Sequence, residues 1–235
     1  MYIITDHRIK SSSLSSLKAF GLELILMPSS PLLQDGVSAH TDMLIFIGFG
    51  RLFCHESYYR ENKDIIEQIA SVADLKIIAS NEIMSSDYPH DVLFNAVIVG
   101  NSLICNKKSV SRLILEAADE RGYTIINVSQ GYAKCSICVI SDNAIITADK
   151  SIAHACESNL IDVLLIEPGH IDLPPYSYGF IGGASGACGE NVYFCGSIDH
   201  HPDAERIKEF CKKHNKTVIS LSDDELQDVG SLFFI

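Results

Sequence analysis

No stretch of the sequence stays apolar for the roughly 18 residues that a bilayer-spanning helix needs, so no membrane partner is expected. The opening residues, Met1 to Asp6, have neither the basic start nor the apolar run of a signal peptide. Positive charge is scarce: 18 Lys and Arg stand against 30 Asp and Glu, a formal net charge of −12. That balance argues against a nucleic-acid partner, which needs a basic patch, and permits a cationic ligand. Nucleotide-binding signatures are missing too. The small-residue stretch Gly182 to Gly186 is followed by no Lys-Ser/Thr and does not match the dinucleotide fingerprint, so no cofactor is expected. The one histidine-rich stretch, Asp199 to Asp203, has adjacent histidines that point apart and no partner cluster at ligand spacing. It reads as a helix start with Pro202 in the first turn, not as a metal site.

What is present is a long series of short apolar segments. Hydrophobic residues make up 47% of the 235, enough for one substantial core. Most of the eight cysteines, among them Cys105, Cys138, Cys156, Cys195 and Cys211, sit inside such segments. They behave as small buried hydrophobes and imply a reduced, cytoplasmic protein without a disulfide framework.

Period-two and period-three-to-four patterns alternate along the chain. Strands are expected at Tyr2–Thr5, Leu22–Met27, Met43–Ile47, Leu75–Ala79, Val92–Val99, Ser102–Cys105, Gly122–Val128, Ser136–Thr147 (one long strand or a tight hairpin), Leu160–Ile166, Val192–Cys195, Thr217–Leu221 and Ser231–Ile235. Helices are expected at Ser11–Phe20, Asn62–Ala73, Ser109–Arg121, Asp149–Asn159 and from Pro202 through Cys211. Two or three strand signals fall between successive helices, with a period of about 40–50 residues. A doubly wound sheet would place about one strand there. Five small mixed units are therefore expected within a single domain, residues 1–235. The last unit has only its first strand, and the first unit lacks one, so the two ends together complete a fifth unit and leave no free sheet edge.

Three short motifs add to the pattern: His40-Thr-Asp42 ahead of an apolar strand, Asp91-Val-Leu-Phe94, and Asp228-Val-Gly-Ser-Leu-Phe-Phe234. With the repeat, they resemble the pentein superfamily of guanidino-group modifying enzymes, which includes dimethylarginine dimethylaminohydrolase, arginine and agmatine deiminases and amidinotransferases. The resemblance implies an α/β fold, a five-bladed α/β propeller of pseudo-fivefold ββαβ units, with the site at its axis. It also places the catalytic cysteine of the family at Phe234 and the catalytic histidine at Ala133 or Tyr132. The chain therefore lacks both groups of the usual mechanism.

Carried onto this sequence, the resemblance turns the residues that begin each blade toward the axis. These are His40, Asp42, His90, Asp91, Lys134, Cys135, Ser136, Gly183, Ser185 and Asp228. Paired carboxylates such as Asp42 and Asp91 suit a planar cation with several donors, although an aspartate at a strand start also serves as a local cap. Cys135 is the candidate nucleophile, with His40 or His90 from a neighbouring blade as its base. Adjacent Lys134 is expected to hold its thiol below the reference of about 8.5, and strand alternation is expected to set it apart from Cys138. Gly183 and Ser185 bring backbone close to a ligand. Three readings follow. The first is a small cationic or amino-acid-like ligand bound at the axis without Cys/His catalysis. The second is a guanidino-group hydrolase or amidinotransferase acting on C–N bonds through Cys135. The third is a structural or partner-binding ring.

Overall fold

A computed structural model describes residues 1–235. In chain order, β1 (Tyr2–Asp6), α1 (Ser11–Ala19) and β2 (Glu23–Met27) are followed by α2 (Thr41–Leu44) and β3 (Ile45–Gly48). β4 (Arg51–His55), α3 (Glu56–Glu61), α4 (Lys63–Val72) and β5 (Lys76–Ser80) come next. Then come β6 (Val97–Val99), β7 (Ser102–Cys105), α5 (Arg112–Glu120) and β8 (Thr124–Asn127). The following set is α6 (Ala133–Ser136), β9 (Cys138–Ser141), β10 (Ala144–Thr147), α7 (Lys150–Glu157) and β11 (Asp162–Leu165). The chain ends with β12 (Ile171–Asp172), β13 (Ser185–Cys188), β14 (Asn191–Phe194), α8 (Ala204–Lys213), β15 (Thr217–Ser220), β16 (Leu226–Gln227) and β17 (Phe233–Phe234).

The strands form five three-stranded sheets of one plan, plus the small parallel pair β12–β16. In each sheet a first strand runs antiparallel to the middle one, and the middle one runs parallel to the third after a helical crossover. The sheets are β3-β4-β5, β6-β7-β8, β9-β10-β11, β13-β14-β15 and β17-β1-β2. The fifth joins the two ends of the chain, with Ile3 opposite Phe234 and Ile4 opposite Phe233, as the split unit predicts.

Helix spacing explains how each unit closes. α4 buries Ile66, Ile69 and Ala70, α5 buries Ile114, Ala117 and Ala118, and α8 buries Ile207, Phe210 and Cys211. All three sets fall at i, i+3 and i+4, one stripe of a helix. The Asp149 carboxylate caps α7 by accepting from the Ser151 and Ile152 amides at 2.7 and 3.0 Å, a cap worth about 0.5–2 kcal/mol. Leu17, Phe53, Tyr58, Phe94 and Phe194 are buried to within 2%, each contributing on the order of 1.5–3 kcal/mol of apolar burial. All eight cysteines are free, seven of them buried. No helix is long and apolar enough to cross a membrane.

Several sequence expectations give way. Asp42 does not open a strand but lies in the helical turn α2, and Lys134, Cys135 and Ser136 lie in the turn α6. The strand expected at Val92–Val99 begins only at Val97, and β4 falls where no strand was expected. Around Met43 and Asn95 the amides find nearby carbonyls. Met43 and Leu44 donate back to the His40 carbonyl, and Asn95 donates to that of Val92, so the apolar residues reach the core without extended pairing.

Candidate functional site

The connections that precede the five first strands meet around a cavity of about 380 Å³. His40 and Met43 come from the segment before β3, and Asp91 from the segment before β6. Tyr132 and Cys135 come from the segment before β9, Phe180 from that before β13, and Asp228 from that before β17.

Asp228 is fully buried. Its Oδ2 accepts from the Phe180 amide at 2.8 Å and its Oδ1 from the Gly230 amide at 3.0 Å. Burial nevertheless dominates and raises its pKa to about 6. Gly183 lies directly on this carboxylate, where any Cβ would overlap both oxygens. Gly183 therefore contributes close packing and a carbonyl for the Val229 and Ser231 amides, and its side-chain position is closed to a ligand.

Asp91 is 5% exposed and accepts from the Tyr132 hydroxyl at 2.6 Å, while its second oxygen has no partner. Burial raises its pKa as well. His40 sits between acids without hydrogen-bonding to either. Its Nδ1 is 3.7 Å from Asp228 and its Nε2 3.9 Å from Asp6. Burial lowers its pKa and favours the neutral ring. Gly230, at φ +65°, lets the chain pass against the His40 side chain where a Cβ would collide.

Cys135 lines the cavity, held by Asn95. The Asn95 carboxamide donates to Cys135 Sγ at 3.0 Å and to the Asp42 carbonyl at 3.0 Å. Its oxygen accepts from the Lys134 amide at 2.7 Å. The thiol pKa is raised well above its ordinary value, first by burial and then by Asp42 and Asp228. This reverses the expectation that Lys134 would lower it. Consecutive residues of a helical turn point in different directions, and the Lys134 ammonium instead reaches Ser231 Oγ at 2.8 Å. Ser231 in turn donates to Asp42 Oδ2 at 2.7 Å or to the Gly182 carbonyl at 2.9 Å. Because Cys135 is not on a strand, alternation does not separate it from Cys138. Both are buried.

The structure thus gathers His40, Asp91, Cys135 and Asp228 at one cavity and disperses the rest. Asp42 is wholly buried behind the wall, its pKa raised by burial and its Oδ1 unpartnered. His90 is exposed, because the turn that aims Asp91 inward sends its neighbour to solvent. Ser136 lines a separate pocket of about 130 Å³, and Lys134 and Ser185 face a cavity formed by the first strands. Sequence reading passed over the cavity walls Tyr88 and Tyr176 and the organiser Asn95. Only the stacking of Tyr132 on Phe180 at 6.0 Å and its tilted contact with Tyr88 at 5.9 Å reveal that wall. Phe234, aligned with the family's nucleophile, pairs with Ile3 and packs on Tyr193 at 4.9 Å, away from the acidic cavity. No group of three or more His, Cys, Asp or Glu is arranged to hold a metal ion.

The model of a family described as "Family of unknown function (DUF6873)" matches residues 4–233. No curated protein matches the sequence. Among solved structures, the chain is similar to a Pseudomonas aeruginosa dimethylarginine dimethylaminohydrolase mutant complexed with citrulline. The identity is 12% and the TM-score 0.57, over 94% of this chain and 92% of that one. It is also similar to C. jejuni agmatine deiminase, at 10% identity and TM-score 0.53 over 94% and 86% of the two chains. A third similar structure is an amidinotransferase of the saxitoxin biosynthetic pathway from Microseira wollei, at 11% identity and TM-score 0.52 over 89% and 72%. The fold is that of the pentein superfamily.

Proposed function

We propose, for a chain that belongs to the Family of unknown function (DUF6873), that the cavity binds a small cationic or amino-acid-like ligand without the Cys/His catalysis of guanidino-group enzymes. One observation carries the reading. Asp91 and Asp228 face a cavity whose lining contains no Lys or Arg, and neither carboxylate has a Lys or Arg within 4.0 Å. Two buried acids with no cation in direct contact are costly, Lys134 acting on Asp228 only through space, and a guanidinium or ammonium offsets that cost. Tyr88, Tyr132 and Phe180 add aromatic faces to the wall, a surface that favours cations.

In this reading the five ββαβ units are the blades of a five-bladed α/β propeller, and the cavity lies at its axis. The support is that each of the five connecting segments contributes to the lining. Gly183, Asp42 and Asn95 are positioning residues that hold Asp228 and Cys135, and Cys135 is a wall residue. No observation favours Cys135 as a relocated nucleophile, since its thiol is pushed up and Lys134 is engaged elsewhere.

The test is calorimetric titration with agmatine, arginine and guanidinium at about pH 8, where Asp228 is ionised. Binding of at least one of them is expected, and Asp91→Asn should weaken it about tenfold, a change of about 1.4 kcal/mol. A folded protein that binds none of them, or one indifferent to Asp91→Asn, overturns the proposal.

A further inference from the structure

Apart from the acidic cavity, a second opening of about 230 Å³ is walled by the first strand of every three-stranded sheet. Phe46 of β3, Ile98 of β6, Val139 of β9, Ala187 of β13 and Phe234 of β17 each contribute one side. Ten of its thirteen lining residues are hydrophobic, and the one charge among them is Lys134. This ammonium has no carboxylate within 4.0 Å. Its one hydrogen bond to the protein is to Ser231 Oγ at 2.8 Å, and the Phe233 ring centroid lies 5.6 Å away. An ammonium carries three donors, so two remain for something in the opening. By hydrogen bonds Lys134 reaches Asp42 through Ser231, and its charge acts on that acid through space.

We propose that this opening binds a small apolar monocarboxylate, with the carboxylate on Lys134 and the hydrocarbon part against the ring of first-strand side chains. The chemistry is complementary on both counts. A charge-assisted hydrogen bond forms in a partly desolvated place, and the apolar walls take the remainder of the ligand. The size limits the class. Pockets for drug-sized molecules run to about 300–1,000 Å³, so this one takes a single ring or a short branched chain. Inorganic phosphate has the charge but nothing for the walls, and an alcohol has the body but nothing for Lys134. The opening shares no lining residue with the acidic cavity, which selects the opposite charge.

Saturation-transfer NMR and calorimetry with benzoate, benzyl alcohol and inorganic phosphate test the proposal on the intact chain. Benzoate is expected to bind at least about tenfold more tightly than benzyl alcohol, a difference of about 1.4 kcal/mol, with phosphate silent. Lys134→Met should reduce benzoate to the level of the alcohol. Because Lys134 is tied into Ser231, that variant carries a folding risk. Ala187→Trp fills the opening from its half-exposed rim and should abolish benzoate binding while agmatine binding is unchanged. The proposal is overturned if benzoate gives no signal, if alcohol and acid bind alike, if phosphate binds as well as benzoate, or if Ala187→Trp leaves benzoate bound. It is also overturned if light scattering finds a dimer whose dissociation Ala187→Trp causes, because a second copy then covers this face.

Discussion

Replacing Asp228 by Asn separates the charge of this residue from its shape. A carboxyl whose folded pKa of about 6 exceeds its ordinary 3.8 binds its proton more tightly in the folded chain. Stability is therefore lost as pH rises through that window and stays lower above it. A gap of roughly two pH units at about 1.4 kcal/mol each puts the cost of keeping Asp228 ionised at about 3 kcal/mol. Asn removes that cost but offers a single acceptor oxygen, so the Phe180 or the Gly230 amide loses its partner. An orphaned buried amide costs about 1–3 kcal/mol. At about pH 4, where the wild type is also neutral, only this loss remains, and the variant is the less stable by that amount. At about pH 8 the removed charge outweighs the loss or balances it, and the variant is equal or more stable by up to ~2 kcal/mol. The difference between the two proteins thus swings by about 3 kcal/mol, or on the order of 6–12 °C in Tm for a chain of this length. Urea unfolding of both proteins across this range measures it. Other buried acids titrate in both and largely cancel, apart from Asp42, whose pKa Asp228 helps to raise. A difference that stays constant with pH would refute the burial argument for Asp228.

Cys135 should be alkylated more slowly than half-exposed Cys188 at neutral pH, since burial and two carboxylates hold it as the thiol; peptide mass spectrometry after brief iodoacetamide exposure decides, and equal rates would reinstate a reactive Cys135. Incubation with arginine or methylated arginines should yield no citrulline above background, and turnover that survives Cys135→Ala would place the chemistry elsewhere in the molecule.

The fold was legible because each unit writes the same physics into sequence. Ile114, Ala117 and Ala118 declare one helix face, and Leu103 to Cys105 a buried strand. β4 was hidden because its strand signal, Leu52 to Cys54, is three residues long, and the hairpin before it depends on left-handed backbone at Phe49 (φ 60°) and Gly50 (φ 71°). Such a turn is evident in Gly50 but not in Phe49. The one-turn helices α2 and α6 are too short to show a period and are held by distant groups, the Gly230 carbonyl for Asp42 and Asn95 for Lys134. The site was legible as a set of chain positions and not as a set of directions. Asp91 and His90, or Cys135 and Lys134, are neighbours in sequence that face different surroundings, and only the packed structure assigns them.

The pairing of β17 with β1 also sets an order of events in folding. Four sheets draw their strands from one continuous stretch each, whereas the fifth waits for residues from the far end of the chain. During synthesis, β1 and β2 can pair through α1 as soon as they are made, but the outer edge of β1 stays open until Phe233 and Phe234 arrive. Closing so long a loop comes late in both time and entropy, and an open apolar strand edge is the kind of surface on which nascent chains misassociate. The Tyr2 amide, which donates to the Ile235 carbonyl at 2.9 Å, should accordingly be among the last to gain protection in pulsed hydrogen exchange during refolding. Early protection there would mean that the ends meet before the intervening units form.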